Sequence, residues 1–488
     1  MSKGVTPRSL DYARWYTDVV RKAQLADYGP VKGTMVIRPY GYAIWEALRE
    51  AFDKRFKATG HQNAYFPLLI PKSFLSREAE HVAGFAKEAA VVTHHRLRAA
   101  EGGGVEVDPD SKLEEELIIR PTSETVIWAM YKRWINSYRD LPILINQWAN
   151  IVRWELRTRL FLRTSEFLWQ EGHTAHATEA EAREETLRML AIYKEVVETE
   201  LALPVIAGLK SEAEKFPGAV ETWSIEAMMG DRRALQCGTS HYLGQNFARA
   251  FDVTYRTEAN EQDYVYATSW GVSTRLIGAM IMAHGDDKGL RLPPRVAPVQ
   301  AVVVPIFRDE TRGDVLTAAH NLTDALGEAG VRAHLDDREN VSPGFKFNDW
   351  ELKGAPLRIE IGPRDVAAEQ AVVARRDQDD KSPLPLAQLP AAVAALLTEV
   401  QAELFRQASD FRAAHTHDLD QWDACRDVLA EGGFVHCGWD GEPASETAIK
   451  EQTKATIRCI LPAESTAGRA CIYSGQPARH VIILARAY

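Results

Sequence analysis

Arg153, Arg157, Arg159 and Arg163 fall within eleven residues of the stretch Trp148–His176, WANIVRWELRTRLFLRTSEFLWQEGHTAH, which also carries Glu155, Glu171 and His173. A guanidinium keeps its charge at any physiological pH and offers a planar fork that fits phosphate or carboxylate oxygens. In the second half of the stretch, a period of two sets Arg163, Ser165, Phe167, Trp169, Glu171 and His173 on one face of a strand. A solvated face seldom carries Phe and Trp, and a core face seldom carries Arg, Glu and His. Such a mixed face suits a polar ligand with a flat aromatic part, on which Phe167 can stack. The first half predicts a partner strand with Arg153 and Glu155 on one side and Val152 and Trp154 on the other, joined by a short arginine-rich loop. An ion-paired hairpin on a protein surface would show the same pattern, so the stretch has to be read with its neighbours.

Two other places carry chemistry. A strand over Leu117–Arg120 runs into Pro121-Thr122-Ser123-Glu124, and a helix follows with Ile127, Met130, Tyr131, Trp134 and Ile135 at helical spacing. Thr122 serves as an N-cap with Glu124 answering the helix dipole, or the hydroxyl and carboxylate hold a cationic amine at the helix mouth. Further on, Val265–Ser269 leads through Trp270-Gly271-Val272-Ser273-Thr274 to Arg275 and a helix of small residues. An arginine that early in a buried helix is costly without an anionic partner. Between them lies Leu235–Gly244 (LQCGTSHYLG), where Cys237 reads as a small packed thiol rather than a nucleophile.

The elements that must position these groups fill a long chain. A length of 488 residues suggests about three domains, and 45% hydrophobic with 26% charged residues is ordinary globular composition. The net charge of −10 argues against a protein that coats nucleic acid, though not against a shaped RNA site. Five cysteines form no disulfide framework, no apolar run suits a membrane span and the N-terminus has no signal-peptide core, so a cytoplasmic location is expected. Ile44, Leu48, Phe52 and Phe56 predict a helix over Tyr40–Thr59, stopped by Gly60. The strand predicted over Asn63–Ile70 contains Pro67, which places it at an edge or a subunit contact. A capping box at Thr178 and Glu181 starts another helix. Pro293, Pro294 and Pro298 mark a linker, after which strands and helices alternate. The expected divisions are residues 1–296, 297–400 and 401–488.

Taken in order, these motifs resemble the class II aminoacyl-tRNA synthetases, and the prolyl-tRNA synthetase branch in particular. The unit ending at Pro67 is similar to that family's first motif, Arg153-Trp154-Glu155 with its hairpin to the second, and Gly271–Arg275 with its helix to the third. PTSE at 121–124, FLWQEGH at 167–173 and CGTSH at 237–241 resemble the prolyl branch. The resemblance implies an α/β chain: an antiparallel sheet of about seven strands flanked by helices, an α/β anticodon-binding domain and a small α/β C-terminal domain, assembled as a homodimer. It implies a ligase that uses ATP and Mg2+ to join L-proline to tRNA(Pro) through prolyl-adenylate. Arg153 would bridge the proline carboxylate and the α-phosphate, and Arg275 would hold the γ-phosphate. Phe167 would stack on adenine, with Thr164 and Ser165 at its edge and Glu155, Gln236 and Thr239 near the nucleotide or its magnesium. Thr122 and Glu124 would take the ammonium of proline, with Trp169, Glu171, His173, His241 and Ser269 walling the pocket.

Only 122 residues separate Arg153 from Arg275, which leaves no room for a large editing insertion and matches the archaeal/eukaryotic-type branch. Anticodon-reading candidates are Glu339, Lys346, Lys353, Arg358 and Glu360, for which a solvated charged face is the competing account. The four-cysteine zinc site of this branch falls on Asp440, Ser445, Cys471 and Ser474. One thiol of four cannot close a tetrahedral site, so no structural zinc is expected. The C-terminal Tyr488 is expected to tuck towards the active site, and a chain ending near Val296 to retain adenylate formation. A synthetase-like enzyme for another small amino acid, such as threonine, and a non-catalytic regulatory relative are the alternatives. Amino-acid-dependent pyrophosphate exchange separates all three.

Overall fold

The computed structural model describes residues 4–75 and 88–488. Helix α1 (Pro39–Ala58) buries Ile44, Leu48, Phe52 and Phe56 on one face, as their spacing requires. Proline fits its first turn, where an amide would lack a partner anyway. Gly60 turns the chain out at a φ of 88°, which costs glycine little.

The strand predicted over Asn63–Ile70 is two strands. The first, β1 (Gln62–Asn63), forms the outer edge of the largest sheet, and β2 (Leu69–Pro71) the edge of a separate one. Pro67 falls between them, where no ladder needs the N–H it lacks. Strands β3 (Ala90–His94) and β4 (Lys112–Ile119) complete the smaller sheet, in the order β2-β4-β3. The chain then enters α2 (Glu124–Trp134).

The hairpin follows as β5 (Ile143–Val152) and β6 (Glu166–His176), antiparallel, with Glu171 opposite Gln147. The first strand stops at Val152. The Trp154 N–H turns away to the carbonyl of Glu88 at 2.7 Å, so Arg153 and Glu155 lie on the connecting loop rather than on an alternating strand. Helix α3 (Glu179–Glu200) starts at the capping box of Thr178 and Glu181 and packs behind the sheet. Strands β7 (Val205–Leu209), β8 (Glu221–Met228), β9 (Ala234–Gly244) and β10 (Tyr266–Ser273) and helix α4 (Arg275–His284) complete this body. Gly172 in β6 is dictated by packing, because a Cβ there would lie 2.0 Å from the Trp270 ring. With Trp270 seated, Glu171 and His173 are held on the opposite face.

Beyond the proline linker, β11 (Ala301–Pro305), α5 (Arg312–Glu328), β12 (Ala333–Leu335), α6 (Pro343–Lys353), β13 (Leu357–Ile361), β14 (Gln370–Arg375) and β15 (Lys381–Pro385) alternate as predicted. They form a sheet in the order β12-β11-β13-β14-β15, whose first three strands are parallel. Helix α7 (Leu389–Ala414) leads out of it and is tied back to α3 by Gln401, whose amide donates to the Thr199 carbonyl at 2.7 Å.

The last unit consists of β16 (Thr416–Asp418), β17 (Phe434–Trp439), α8 (Pro443–Thr453), β18 (Thr456–Ile460) and β19 (His480–Ala485). Its strands do not form a separate sheet. Leu209 of β7 pairs with Ile460 of β18, giving one eleven-stranded sheet in the order β16-β17-β19-β18-β7-β8-β9-β10-β6-β5-β1. Across this seam Glu226 of β8, Lys210 and Arg458 of β18 form a buried ion cluster, with Lys210 Nζ 2.6 Å and Arg458 Nη2 3.0 Å from the Glu226 carboxylate. A chain ending near Val296 would expose that carboxylate and strip the strands that extend the sheet. The expectation that such a fragment keeps a sound active site is therefore withdrawn.

Candidate active site

A cavity of about 340 Å³ opens on the face shared by β6, β9 and β10. Phe167, Trp169, Glu171 and His173 all line it, as their period of two in β6 predicts. Thr122 and Glu124 reach it from the mouth of α2, Gln236, Thr239 and His241 from β9, and Ser269 from β10. Arg153 enters from the connecting loop and Arg275 from the first turn of α4, so two guanidiniums far apart in sequence share one cleft.

One end of the cleft is a closed polar network. Ser123 Oγ donates to Glu171 Oε1 at 2.5 Å, and Gln147 Nε2 donates to the same oxygen at 2.8 Å. His173 Nε2 lies 2.9 Å from Glu171 Oε2. Burial raises the Glu171 carboxyl, but bonding and charge from His173, with Ser123 and Gln147, outweigh it and leave the group below its ordinary range. Burial lowers His173, yet the Glu171 bond and the charges of Glu124 and Glu171 carry it above 6.5. The two shifts run in opposite senses, each favouring the charged form of a buried carboxylate–imidazole pair. Thr122 Oγ1 donates to Glu124 Oε2 beside it. The N-cap account of Thr122 fails on geometry: Ser123 occupies the cap position, and no side chain caps this helix. His241 is lowered to about 4 by burial, and its Nδ1 lies 3.0 Å from Thr222 Oγ1. The buried Ser269 Oγ and His173 Nδ1 have no hydrogen-bond partner among the described residues. In a pocket wall these are waiting donors or acceptors for a ligand.

The other end is cationic. Arg153 Nε donates to the Pro121 carbonyl at 3.0 Å, and its guanidinium lies over the rings of Trp169 and Phe167, 5.5 and 5.8 Å from their centres. Burial lowers Arg153 to about 10; Glu124 opposes the shift and the like charge of Arg275 adds to it. Arg275 donates from Nε to the Leu162 carbonyl at 3.1 Å, and it too is lowered, by burial and then by Arg163. Both keep the charge that a guanidinium carries at neutral pH. Two guanidiniums and the Phe167 ring thus line one end of the cleft.

Three nucleotide candidates lie outside the cavity lining. Glu155 sits on the loop, 3.4 Å from Arg163. Thr164 Oγ1 bonds the Glu166 carbonyl, and the Ser165 N–H and C=O bond Gly33 and Arg153. Cys237 is a buried thiol pushed far up by burial, as its packing role requires. The segment Glu214–Pro217 lines the cleft without having been singled out in the sequence. Phe216 packs on His241 with ring centres 4.6 Å apart. A turn of this composition (EKFPG) carries no local sign of what it will cover.

Of the residues proposed to read an anticodon, Lys346 is buried with Nζ on the Asp336 carbonyl at 2.8 Å, which makes it structural. Glu339 pairs with Arg312, Lys353 with Asp349, and Arg358 with Glu360. Arg358 also borders a second cavity of about 190 Å³ with Lys381, Arg375 and Arg376. In the last unit, Asp440 accepts hydrogen bonds from Ser445 at 2.6 Å and Ser474 at 2.5 Å, with Cys471 buried nearby. Two hydroxyls and a carboxylate bonded to one another do not fit the closed nitrogen and sulfur set that structural zinc requires. Tyr488 donates to Asp231, its N–H bonds the Ala234 carbonyl, and its ring lies 5.6 Å from the guanidinium of Arg159 on the arginine loop.

Three family models match the sequence: the class II tRNA synthetase core domain (G, H, P, S and T) over residues 105–284, the anticodon binding domain over 300–396, and the prolyl-tRNA synthetase C-terminal domain over 422–488. The proline–tRNA ligase of Porphyromonas gingivalis strain W83 is 54% identical over 100% of this chain and 99% of its own. That of Chloroherpeton thalassium is 54% identical, and that of Chlorobium phaeobacteroides 55%, each over 100% of both chains.

Proposed function

The chain belongs to the prolyl-tRNA synthetase family, and from that premise we propose how its cleft attaches proline to tRNA(Pro) with ATP. Proline's carboxylate attacks the α-phosphate, pyrophosphate leaves, and the prolyl group then passes to a terminal ribose hydroxyl. No protein nucleophile is needed, so the residues act by positioning and by stabilising charge. Arg153 sits between the two ends of the cleft and holds the carboxylate against the α-phosphate. Arg275 takes the far end of the triphosphate, and Phe167 the adenine. Gln236 and Thr239 are neutral oxygen donors beside the phosphate path, and they suit a magnesium ion held mostly by phosphate oxygens. When bound, that ion would neutralise phosphate charge.

Proline has a secondary ammonium and no other polar handle. Glu124, steadied by Thr122, is the carboxylate for that ammonium, and the Glu171–His173 pair is locked against its own neighbours as a wall. Shape alone discriminates weakly, by a factor of roughly 10–200 per methylene. Alanine and cysteine are the expected intruders.

The observation that carries this reading is the convergence of Arg153 and Arg275 in one cavity with Thr122 and Glu124. Pyrophosphate exchange with proline, threonine, alanine and cysteine tests it. Proline should dominate, and exchange with threonine alone would refute the pocket assignment. The surface around Arg358 and Lys353 is proposed to read the anticodon. A homodimer is proposed through the face bearing the exposed Tyr65, Leu69 and Trp134, an apolar set that calls for cover; a monomer in sedimentation would refute it. The five buried free thiols suit a reducing cytoplasm. Among the described residues, no helix is long and apolar enough to cross a membrane.

A further inference from the structure

We propose that the C-terminal unit sets the affinity for proline by gripping, from outside, the segment Lys210–Pro217 that closes the amino-acid end of the cleft. This rests on the reading that Thr122 and Glu124 mark that end. The inner side of the segment is on the cavity: Glu214, Lys215, Phe216 and Pro217 line it. Phe216 packs on His241, and its N–H donates to Thr222 Oγ1 at 2.9 Å, the same hydroxyl that meets His241.

The outer side is bonded to the last unit at several points. Ser211 Oγ donates to Glu446 Oε1 on α8 at 2.5 Å, a buried bond between residues far apart in sequence. Lys450, one turn along that helix, lies 3.4 Å from Glu214. Lys210 Nζ donates to the Arg458 carbonyl at 2.9 Å while paired with Glu226. The Arg458 guanidinium bonds both oxygens of Glu226 and comes within 3.9 Å of Glu214. Lys210 and Arg458 therefore balance the buried Glu226 across the seam, with the partly exposed Glu214 beside them. Glu446, Lys450 and Arg458 are not themselves part of the cleft lining, and they reach it only through Ser211 and Glu214. They are positioning residues: they fix where Phe216 stands, and through it the space left for a five-membered ring. ATP binds at the opposite, cationic end, which Glu446 and Lys450 should not reach; Arg458 is left out of the test because its charge acts on Arg275.

Steady-state pyrophosphate exchange on the full chain separates the two substrates. Ser211→Ala and Glu446→Ala should each raise KM for proline about tenfold, the scale of a lost hydrogen bond to a charged group, with KM for ATP unchanged. Glu446→Gln keeps an oxygen that accepts from Ser211 and should restore most of the affinity. Lys450→Ala, at the surface, supplies a milder variant if Glu446→Ala fails to fold. Phe216→Ala tests the underlying reading by itself. If it raises KM for proline while the Ser211 and Glu446 variants do not, the grip is refuted and the pocket assignment survives. If Phe216→Ala leaves proline affinity untouched, the pocket assignment fails and takes the grip with it. Equal changes in both KM values would also refute the proposal, since they would report general loosening.

Discussion

The two ends of the cleft are built on opposite principles. At the end proposed for the amino acid, Glu171 is bonded by Ser123, Gln147 and His173, a network made entirely within the protein. At the end proposed for phosphate, Arg153 and Arg275 are depressed by burial, and the like charge of Arg275 lowers Arg153 further. A pocket for a small apolar ring gains selectivity from rigidity, because it has few polar contacts to read. A phosphate socket gains from stored charge, which is released only when the polyanion binds.

Substitutions should therefore fail differently at the two ends. Arg153→Ala should lower proline-dependent exchange by about 10³-fold with an unchanged melting temperature; near-normal exchange would remove Arg153 from the chemistry. Arg275→Ala should cost about 10²-fold, mostly as KM for ATP, and an equal rise in KM for proline would blur the contrast. Glu171→Gln should instead cost stability, about 3 kcal/mol, because the buried His173 loses its carboxylate partner; calorimetry that finds the variant as stable as the parent would make the network ornamental. The same pair predicts a pH window. Glu171's contribution is present above 4.5 and lost as pH falls below it towards the depressed native value, while that of His173 is present below 6.5 and lost as pH rises through its raised native value. Stability should thus be highest between about 4.5 and 6.5 for this pair, and His173→Gln should abolish the loss on the alkaline side. The smallest effect is expected far from the cleft, where Ser445→Ala should cost about 1 kcal/mol and a chelator nothing.

The face of β6 was readable from its period of two because strand geometry alone decides which side chains share a side. The convergence of Arg153 and Arg275 was expected only through resemblance, since nothing local links a loop to a helix start 122 residues later. Two failures have one cause. Alternation suggested that Arg153 and Glu155 continue a strand, but a hydrogen bond to Glu88 ends the strand at Val152. Likewise the last unit seemed self-contained, because no periodicity in β18 reveals that Ile460 will pair with Leu209. In both cases a distant partner overrode a pattern that was correct about itself. Lys346 adds a third kind of miss: a cation in a surface-looking helix was drawn inward by a single carbonyl.

The seam between β7 and β18 also bears on how the molecule is made. The residues that meet there, Leu209 and Ile460, are 251 positions apart, a span that takes roughly 12–50 s to translate at bacterial-to-eukaryotic elongation speeds. Throughout that interval the nascent sheet presents a bare flank, with Lys210 and Glu226 still lacking Arg458. Newly synthesised chains should be most in need of chaperone protection during those seconds, and premature termination in the final segment should yield aggregates rather than a trimmed, working enzyme.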